Sequence, residues 1–184
     1  PWHATPGKSS PSCLKISWRK LSPPAKTPLP KSRRLSVAPK IPTYDIAVVG
    51  GGASGLAAAI TAARQGGSVI LLESDVEPGL SILKTGNGRC NLGNRHLGLE
   101  HYRNPAFTKS IFGTSPEDDI NGFFDSLGLV RRFVDDRIYP ASMKAESVRD
   151  VLLDACRRLS VKIICVAQIN CAEQDFDGIW QLRY

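Results

Sequence analysis

Residues 44–73 read YDIAVVGGGASGLAAAITAARQGGSVILLE, and this stretch decides the fold class. The apolar run Ile46–Val49 is typical of a buried parallel strand, and the β-branched run at 68–72 is typical of a second one. Between them, residues 50–55 form a Gly-x-Gly-x-x-Gly turn that leads into a helical pattern over Ala53–Arg64. This order of strand, glycine turn, helix and strand predicts an α/β fold with a central parallel sheet.

Each glycine of the turn has a physical role in a dinucleotide-binding site. Gly50 permits a tight exit from the strand, Gly52 lets the backbone approach a pyrophosphate, and Gly55 lets the helix pack closely on the sheet. The first N–H groups of the helix, near Ala53 and Ser54, would face the phosphates, where the helix dipole favours negative charge. The turn therefore predicts a dinucleotide, and by itself it leaves FAD and NAD as alternatives.

An acidic residue closes the second strand. Glu73 lies 23 positions after Gly50, where the acid of a dinucleotide site accepts hydrogen bonds from the adenosine ribose. A carboxylate at this place also repels a 2′-phosphate, which disfavours NADP at this half-site. Because strand, turn and acid all stand where the motif requires them, the sequence favours a dinucleotide site over an ordinary tight turn.

Periodicity and turn residues predict further elements along the chain, after a glycine-rich loop at 77–94. The helix predicted at 145–159 would bury Val148, Leu152, Ala155 and Leu159. The strand predicted at 161–166 would join the same sheet. The remaining predictions are a short helix at 105–112, a helix from Pro116 that is capped by Ser115 and ends at Gly128, a hairpin-like excursion at 130–139, and a strand at 178–184.

The net charge of +7 on the 184 residues is unevenly distributed. Nine of the 24 Lys and Arg residues lie in residues 1–42, which contain no acid, so the remainder holds 15 basic and 17 acidic side chains. This nearly neutral part argues against a nucleic-acid partner and favours a small-molecule substrate. No apolar run approaches the ~18 residues of a membrane span. Five scattered cysteines indicate reduced thiols and a cytoplasmic location.

Residues 1–42 are rich in proline, serine and lysine, and their composition predicts a disordered tail before a domain at 43–184. Three interpretations of this tail remain open. It is inert, it is a transit peptide that directs the protein to an organelle, or it binds polyanions.

A second motif follows the acid, since residues 85–91 read TGNGRCN. Downstream, residues 123–129 read FFDSLGL and residues 137–142 read RIYPAS. Together with the glycine turn and Glu73, these segments resemble the NAD(P)/FAD-dependent oxidoreductases of the aminoacetone-oxidase-like or BaiN type. The resemblance covers residues 44–184. It implies a Rossmann-like FAD-binding domain that is incomplete at its C-terminus, because full members of that family continue into further domains.

The resemblance implies FAD as cofactor, with hydride or electron transfer between the flavin and a substrate and with NAD(P)H as a candidate electron donor. The glycine turn and Glu73 would hold the ADP half, and residues 85–91 would run close to the flavin. Arg89 would then stabilise phosphate or flavin charge, unless it only shapes the loop through a salt bridge. Cys90 is interpreted as a loop-packing residue rather than a redox group. The candidate cofactor-binding residues are Gly50, Gly51, Gly52, Ala53, Ser54, Gly55, Glu73, Thr85, Gly86, Asn87, Gly88, Arg89, Cys90 and Asn91.

Two other functions stay open at the level of the sequence. One is an NAD-dependent dehydrogenase with a single Rossmann domain, and the other is a non-catalytic nucleotide-binding module. The sequence identifies no catalytic residue and predicts no metal site, because His96 and His101 lack apparent partner ligands. It also leaves the oligomeric state and the substrate open.

Overall fold

The structure is a computed structural model that describes residues 13–16, 42–113 and 116–184. Two short 3₁₀ turns, at Thr85–Gly88 and Leu99–His101, lie between the longer elements. Over the described residues the strands and helices are, in chain order, β1 Cys13–Ile16, β2 Thr43–Tyr44, β3 Ile46–Val49, α1 Ala53–Arg64, β4 Val69–Leu72, α2 Leu80–Leu83, β5 Gly93–Asn94, α3 Pro105–Phe112, α4 Pro116–Ser126, β6 Arg131–Val134, β7 Arg137–Pro140, α5 Ala145–Arg158, β8 Lys162–Ile164, β9 Cys171–Gln174 and β10 Trp180–Arg183.

The predicted parallel sheet is present and carries the glycine turn. β3, β4 and β8 pair in parallel in the order β3-β4-β8. α1 connects β3 to β4 and packs against both strands and against α5, which leads into β8. The prediction of an α/β fold with a central parallel sheet is confirmed, and so is the prediction that residues 161–166 add a strand to it.

The strands of this sheet differ in burial. All four residues of β4 are at most 3% exposed, and this strand lies between β3 and β8. β3 is only half-buried, and Val49 at its end is 59% exposed. The prediction that Ile46–Val49 is buried is therefore wrong for this end of the strand. Within the described part of the chain, β3 lies at the edge of its sheet, and a strand is buried throughout only when neighbours cover it on both sides.

The core forms where α1 and α5 cover the sheet. Leu56 and Ile60 of α1 pack in one buried cluster with Val148 and Leu152 of α5. The predicted face of α5 is confirmed for Val148, Leu152 and Ala155. Leu159, which follows the last helical residue, packs against the same cluster but is only half-buried.

The chain between β4 and β8 contains the short helix, the longer helix and the hairpin that the sequence predicts. α3 begins after Asn104, whose side chain accepts a hydrogen bond from the N–H of Phe107. α4 begins at Pro116, and its predicted cap, Ser115, lies outside the described residues. β6 and β7 pair antiparallel, which confirms the predicted hairpin.

A second sheet has the order β2-β1-β10-β9, and β1 pairs antiparallel with β10. The prediction of a strand at 178–184 is confirmed, although this strand does not join the parallel sheet. Cys13–Ile16 lie within the tail that the sequence predicts to be disordered, and they form β1 because the backbone of β10 supplies ladder hydrogen bonds that do not depend on the composition of the tail. Residues 1–12 and 17–41 lie outside the described part. None of the described helices has the length and apolar character needed to cross a membrane.

Candidate functional site

The predicted site residues of the first motif meet at the carboxyl edge of the parallel sheet. The N–H of Gly50 donates to the carbonyl of Leu72 over 2.8 Å, and the N–H of Glu73 donates to the carbonyl of Ile164 over 2.9 Å. The glycine turn and the acid are therefore adjacent in space. In open α/β sheets this edge is where ligands bind.

Glu73 accepts hydrogen bonds from the protein on both carboxylate oxygens. Its Oε2 accepts from the N–H of Gly51 at 2.5 Å, and its Oε1 accepts from the N–H of Asp75 at 2.8 Å and the hydroxyl of Ser74 at 3.0 Å. The sequence predicted only a ribose acceptor here. A carboxylate has about four acceptor positions, and the N–H of Ser74 adds a further favourable contact, so most of these positions are taken up within the protein.

The charge of Glu73 is stabilised by the same hydrogen bonds. The Asp75 N–H, with the Gly51 N–H and Ser74, holds the pKa of this carboxyl below its ordinary value, although burial acts in the opposite direction. The side chain is only 8% exposed. Glu73 is thus a buried carboxylate that remains ionised at neutral pH beside the glycine turn.

Three glycines of the turn differ in how much room their surroundings leave for a side chain. A Cβ on Gly55 would overlap the carbonyl oxygen of Gly50, and a Cβ on Gly51 would lie 2.8 Å from both Glu73 Oε2 and Pro78 Cβ. A Cβ on Gly52 would meet only Ser81 Oγ, at 3.4 Å, and the backbone of Gly52 is extended. The fold itself therefore requires Gly51 and Gly55, whereas Gly52 leaves open space in front of the turn.

The first turn of α1 is open to an anion. Gly52 is the N-cap, and over the described residues no side chain caps the helix and no acid lies in its first turn. Ala53 and Ser54 are exposed. Unpaired N–H groups and the helix dipole together favour a phosphate at such an end. The geometry at Gly52 and at this helix start fits the pyrophosphate of a dinucleotide.

The second motif forms a tight turn with left-handed backbone. Asn87 and Cys90 have φ values of 53° and 55°, and the glycines at 86 and 88 share this conformation. The N–H of Cys90 donates to the carbonyl of Thr85 at 3.1 Å, and the Thr85 hydroxyl donates to the carbonyl of Ile82 at 2.7 Å. A non-glycine residue in this region costs about 1–3 kcal/mol, so surrounding contacts must hold the turn in place.

The side chains at the end of this turn differ in their exposure to solvent. Arg89 is exposed, its guanidinium carbon lies 5.8 Å from the centre of the Tyr139 ring, and it forms no ion pair with a described carboxylate. Cys90 is buried and unpaired. Asn91 is exposed, and its Oδ1 accepts from the N–H of Gly93. The contact with Tyr139 leaves the charge of Arg89 available to a ligand.

A cavity of about 400 Å³ connects the two motifs, since Ala53 lines it together with Cys90 and Asn91. The sequence did not predict it. The other lining residues are mostly apolar and come from the five helices α1 to α5 and from the loop after Asn91: Ala57, Ile82, Leu92, Phe112, Asp119, Ile120, Phe123, Phe124, Val148 and Leu152. Its volume is in the range of small-molecule pockets.

Sequence reasoning missed the residues that support the turn from behind. The N–H of Gly79 donates to the carbonyl of Gly51 over 2.8 Å, and Ser81 Oγ faces Gly52. The Pro-Gly pair at 78–79 does indicate a turn. No sequence signal indicates which segment that turn would contact.

No metal site is apparent over residues 13–16, 42–113 and 116–184, where no three His, Cys, Asp or Glu side chains form a group that could hold an ion. His96 pairs with Asp136 at 3.6 Å, and both side chains are largely exposed. Burial raises the pKa of the Cys156 thiol to about 11, which makes this cysteine unreactive at neutral pH.

Comparison with known proteins identifies relatives. The family model of the HI0933-like protein Rossmann domain matches residues 44–184. The 3-dehydro-bile acid delta(4,6)-reductase of Clostridium scindens is 42% identical over 137 residues, which are 72% of this chain and 34% of that protein. The ribosomal RNA dihydrouridine synthase of Escherichia coli is 26% identical over 144 residues, which are 73% of this chain and 34% of that protein. The chain thus spans about one third of the length of these relatives.

Solved structures show a weaker similarity. The 3-ketosteroid-delta4-(5alpha)-dehydrogenase from Rhodococcus jostii RHA1 is 16% identical with a TM-score of 0.48, over 73% of this chain and 40% of that chain. THI4 from Thermovibrio ammonificans is 15% identical with a TM-score of 0.47, over 72% of this chain and 43% of that chain.

Proposed function

The chain belongs to the HI0933-like family and contains its FAD-binding Rossmann domain, and from this premise we propose the reaction that it serves. The protein of which this domain is part is a FAD-dependent oxidoreductase. It transfers a hydride or electrons between a small-molecule substrate or NAD(P)H and the flavin. The flavin supplies the redox chemistry, and the protein supplies binding, orientation and electrostatics.

The arrangement of Gly52, the open start of α1 and Glu73 carries this proposal. The N–H groups near Ala53 and Ser54 hold the pyrophosphate, and Gly52 permits its close approach. Glu73 accepts a hydrogen bond from the adenosine ribose beside the bonds that it accepts from the protein. Residues 85–91 continue the site beyond the glycine turn, with Cys90 and Asn91 at the wall of the cavity, and exposed Arg89 stabilises negative charge on the phosphates or on the reduced flavin.

Replacing Gly52 by alanine tests the cofactor assignment. We expect the Gly52→Ala chain to fold as stably as the wild type, because an extended residue with a 3.4 Å contact to Ser81 Oγ tolerates a methyl group. FAD affinity is expected to fall roughly tenfold or more, since the methyl occupies the approach of the pyrophosphate. Titration with FAD, followed by flavin fluorescence, and urea unfolding measure the two effects.

The outcome separates FAD binding from an unrelated glycine turn. Ser110→Ala, on the exposed face of α3, is the matched control and should change neither quantity. A wild-type chain that binds NAD but not FAD would favour the dehydrogenase alternative. A chain that binds neither dinucleotide would contradict the proposal.

The substrate that we propose is a small apolar molecule rather than nucleic acid. The two relatives named above act, by their names, on a bile acid and on ribosomal RNA. The cavity beside Cys90 offers three phenylalanines and mostly apolar neighbours. The part of the chain after residue 42 has more acidic than basic side chains, whereas an RNA site needs a basic surface.

Spectral perturbation of the flavin tests this choice. With FAD bound, we expect a 3-dehydro-bile acid to shift the flavin absorbance, and we expect a ribosomal RNA fragment to leave it unchanged. The variant Ile120→Trp fills part of the cavity from α4, so it should weaken the bile-acid effect roughly tenfold and leave FAD affinity within twofold. A shift that only the RNA produces would contradict the proposal.

We also propose a cytoplasmic location. Four cysteines, Cys90, Cys156, Cys165 and Cys171, are unpaired among the described residues, which suits a reducing compartment. Labelling of free thiols in the native protein tests this, and a disulfide in the protein isolated from cells would contradict it.

A further inference from the structure

We propose that Arg149 on α5 is a positioning residue for the phosphate-binding turn. The aliphatic stem of Arg149 packs against Gly79 and holds it in position. Gly79 in turn fixes the orientation of the peptide group between Gly51 and Gly52. This inference rests on the proposed function, because the ligand of the turn is the pyrophosphate of FAD. The N–H of Gly52 is the group that the arrangement orients.

The contact between Arg149 and Gly79 is close. Gly79 has a φ of +79°, and a Cβ built on it would lie 2.7 Å from Cγ and 3.1 Å from Cδ of Arg149. The stem therefore touches the α-carbon of Gly79 with no room for a side chain between them. The left-handed conformation is open to glycine without strain. Gly79 is thus held between α5 on one side and the glycine turn on the other.

Gly79 transmits this position to the turn through one hydrogen bond. Its N–H donates to the carbonyl oxygen of Gly51 at 2.8 Å. In a trans peptide the carbonyl of one residue and the N–H of the next point in opposite directions. Fixing the Gly51 carbonyl towards Gly79 therefore directs the N–H of Gly52 away from it, to the open side of the turn.

Gly51 is held at both ends of the residue. Its N–H donates to Glu73 at 2.5 Å while its carbonyl accepts from Gly79. Pro78 lies behind Gly51, because a Cβ on Gly51 would be 2.8 Å from Pro78 Cβ. The turn is consequently preorganised before a ligand arrives, which lowers the cost of ordering it on binding.

Gly79 is positioned by the methylene groups of Arg149 rather than by the charge of its guanidinium. The side chain is 21% exposed, and its guanidinium lies 3.5 Å from Glu77 Oε2 and 3.4 Å from Asp150 Oδ1. Both carboxylates are about two-thirds exposed, at 63% and 65%. Such pairs contribute little to stability. They keep the guanidinium in place while the methylene groups pack.

Two substitutions at position 149 separate the stem from the charge. Arg149→Ala removes both, whereas Arg149→Met keeps an unbranched stem without the charge. We expect FAD affinity to fall roughly fivefold or more in Arg149→Ala and to stay within twofold of the wild type in Arg149→Met. Arg158→Ala on the same helix is the matched control, because Arg158 is exposed and pairs with Asp154. It should leave FAD affinity unchanged.

Hydrogen exchange gives a second readout that needs no ligand. The amide of Gly79 should exchange faster in Arg149→Ala than in Arg149→Met, while amides of β4 keep their protection. Equal exchange at Gly79 in the two variants would overturn the inference, and so would wild-type FAD affinity in a folded Arg149→Ala chain. A loss of affinity in Arg149→Met as large as in Arg149→Ala would also overturn it.

The experiments give a different result if the proposed function, rather than the role of Arg149, is wrong. A wild-type chain that does not bind FAD contradicts that function, and the exchange of the Gly79 amide still decides the role of Arg149. If Arg149→Ala does not fold, Gly79→Ala takes its place, since the added methyl pushes against Cγ of Arg149. It should weaken FAD binding roughly fivefold. Unchanged affinity in that variant would overturn the inference.

Discussion

Replacement of Gly55 by alanine is expected to abolish stable folding of the domain. The new methyl would overlap the carbonyl oxygen of Gly50, which is backbone and cannot rotate away. Relief requires α1 to move off the sheet, and Leu56 and Ile60 of α1 are fully buried in the core. We expect a loss above about 3 kcal/mol in the free energy of unfolding, measured by urea denaturation.

The control for this prediction lies in α4. Gly122 has no atom within 4 Å of a built Cβ and its φ is not positive. Gly122→Ala should therefore keep or raise stability, by about 0.5–1 kcal/mol, because alanine favours the helix. A Gly55→Ala protein that unfolds at the same urea concentration as the wild type would show that α1 does not pack on the turn as described.

Replacement of Glu73 by alanine is expected to lower both stability and FAD affinity. The N–H groups of Gly51 and Asp75 lose their acceptor, and an unsatisfied buried donor costs about 1–3 kcal/mol. FAD also loses the ribose acceptor that we propose for it, so its affinity should fall roughly tenfold or more. Urea denaturation and FAD titration measure these effects, and an unchanged affinity in a folded variant would contradict the assignment.

The lowered pKa of Glu73 also predicts a pH dependence. A carboxyl whose pKa is lower in the folded state stabilises the fold above its unfolded pKa of about 4.3, and this stabilisation is lost as the pH falls through the folded pKa. Glu73→Gln removes the charge, so unfolding free energy should fall less steeply below pH ~4.3 in this variant. Exposed Glu146 provides the control, and Glu146→Gln should follow the wild type. Parallel curves for Glu73→Gln and wild type would contradict the prediction.

Local patterns predicted the elements that depend on neighbours in sequence. The limits of α1 agree with the predicted Ala53–Arg64, and the buried face of α5 was predicted by the spacing of Val148, Leu152 and Ala155. Both follow from helical periodicity. The exposure of Val49 was not predictable in the same way, because an apolar run does not reveal which strands flank it.

The candidate site was likewise predictable from the sequence only in part. The glycine turn, the acid and the second motif were recognisable from residue types and spacing. Their roles towards the cofactor stay predictions. The structure added the bond between Gly51 and Glu73, which turns a predicted ribose acceptor into a residue that also supports the turn.

The sequence by itself determined the β-α-β unit, the position of the glycine turn and the acid at the end of β4. These features arise from interactions within a few residues or across one strand–helix–strand unit. Only the tertiary structure decided that Gly51, Glu73, Gly79 and Arg149 form one connected support, and that a cavity joins Ala53 to Cys90. Gly79 and Arg149 meet because α2, which begins directly after Gly79, packs against α5. Such long-range packing depends on the whole core rather than on any local pattern.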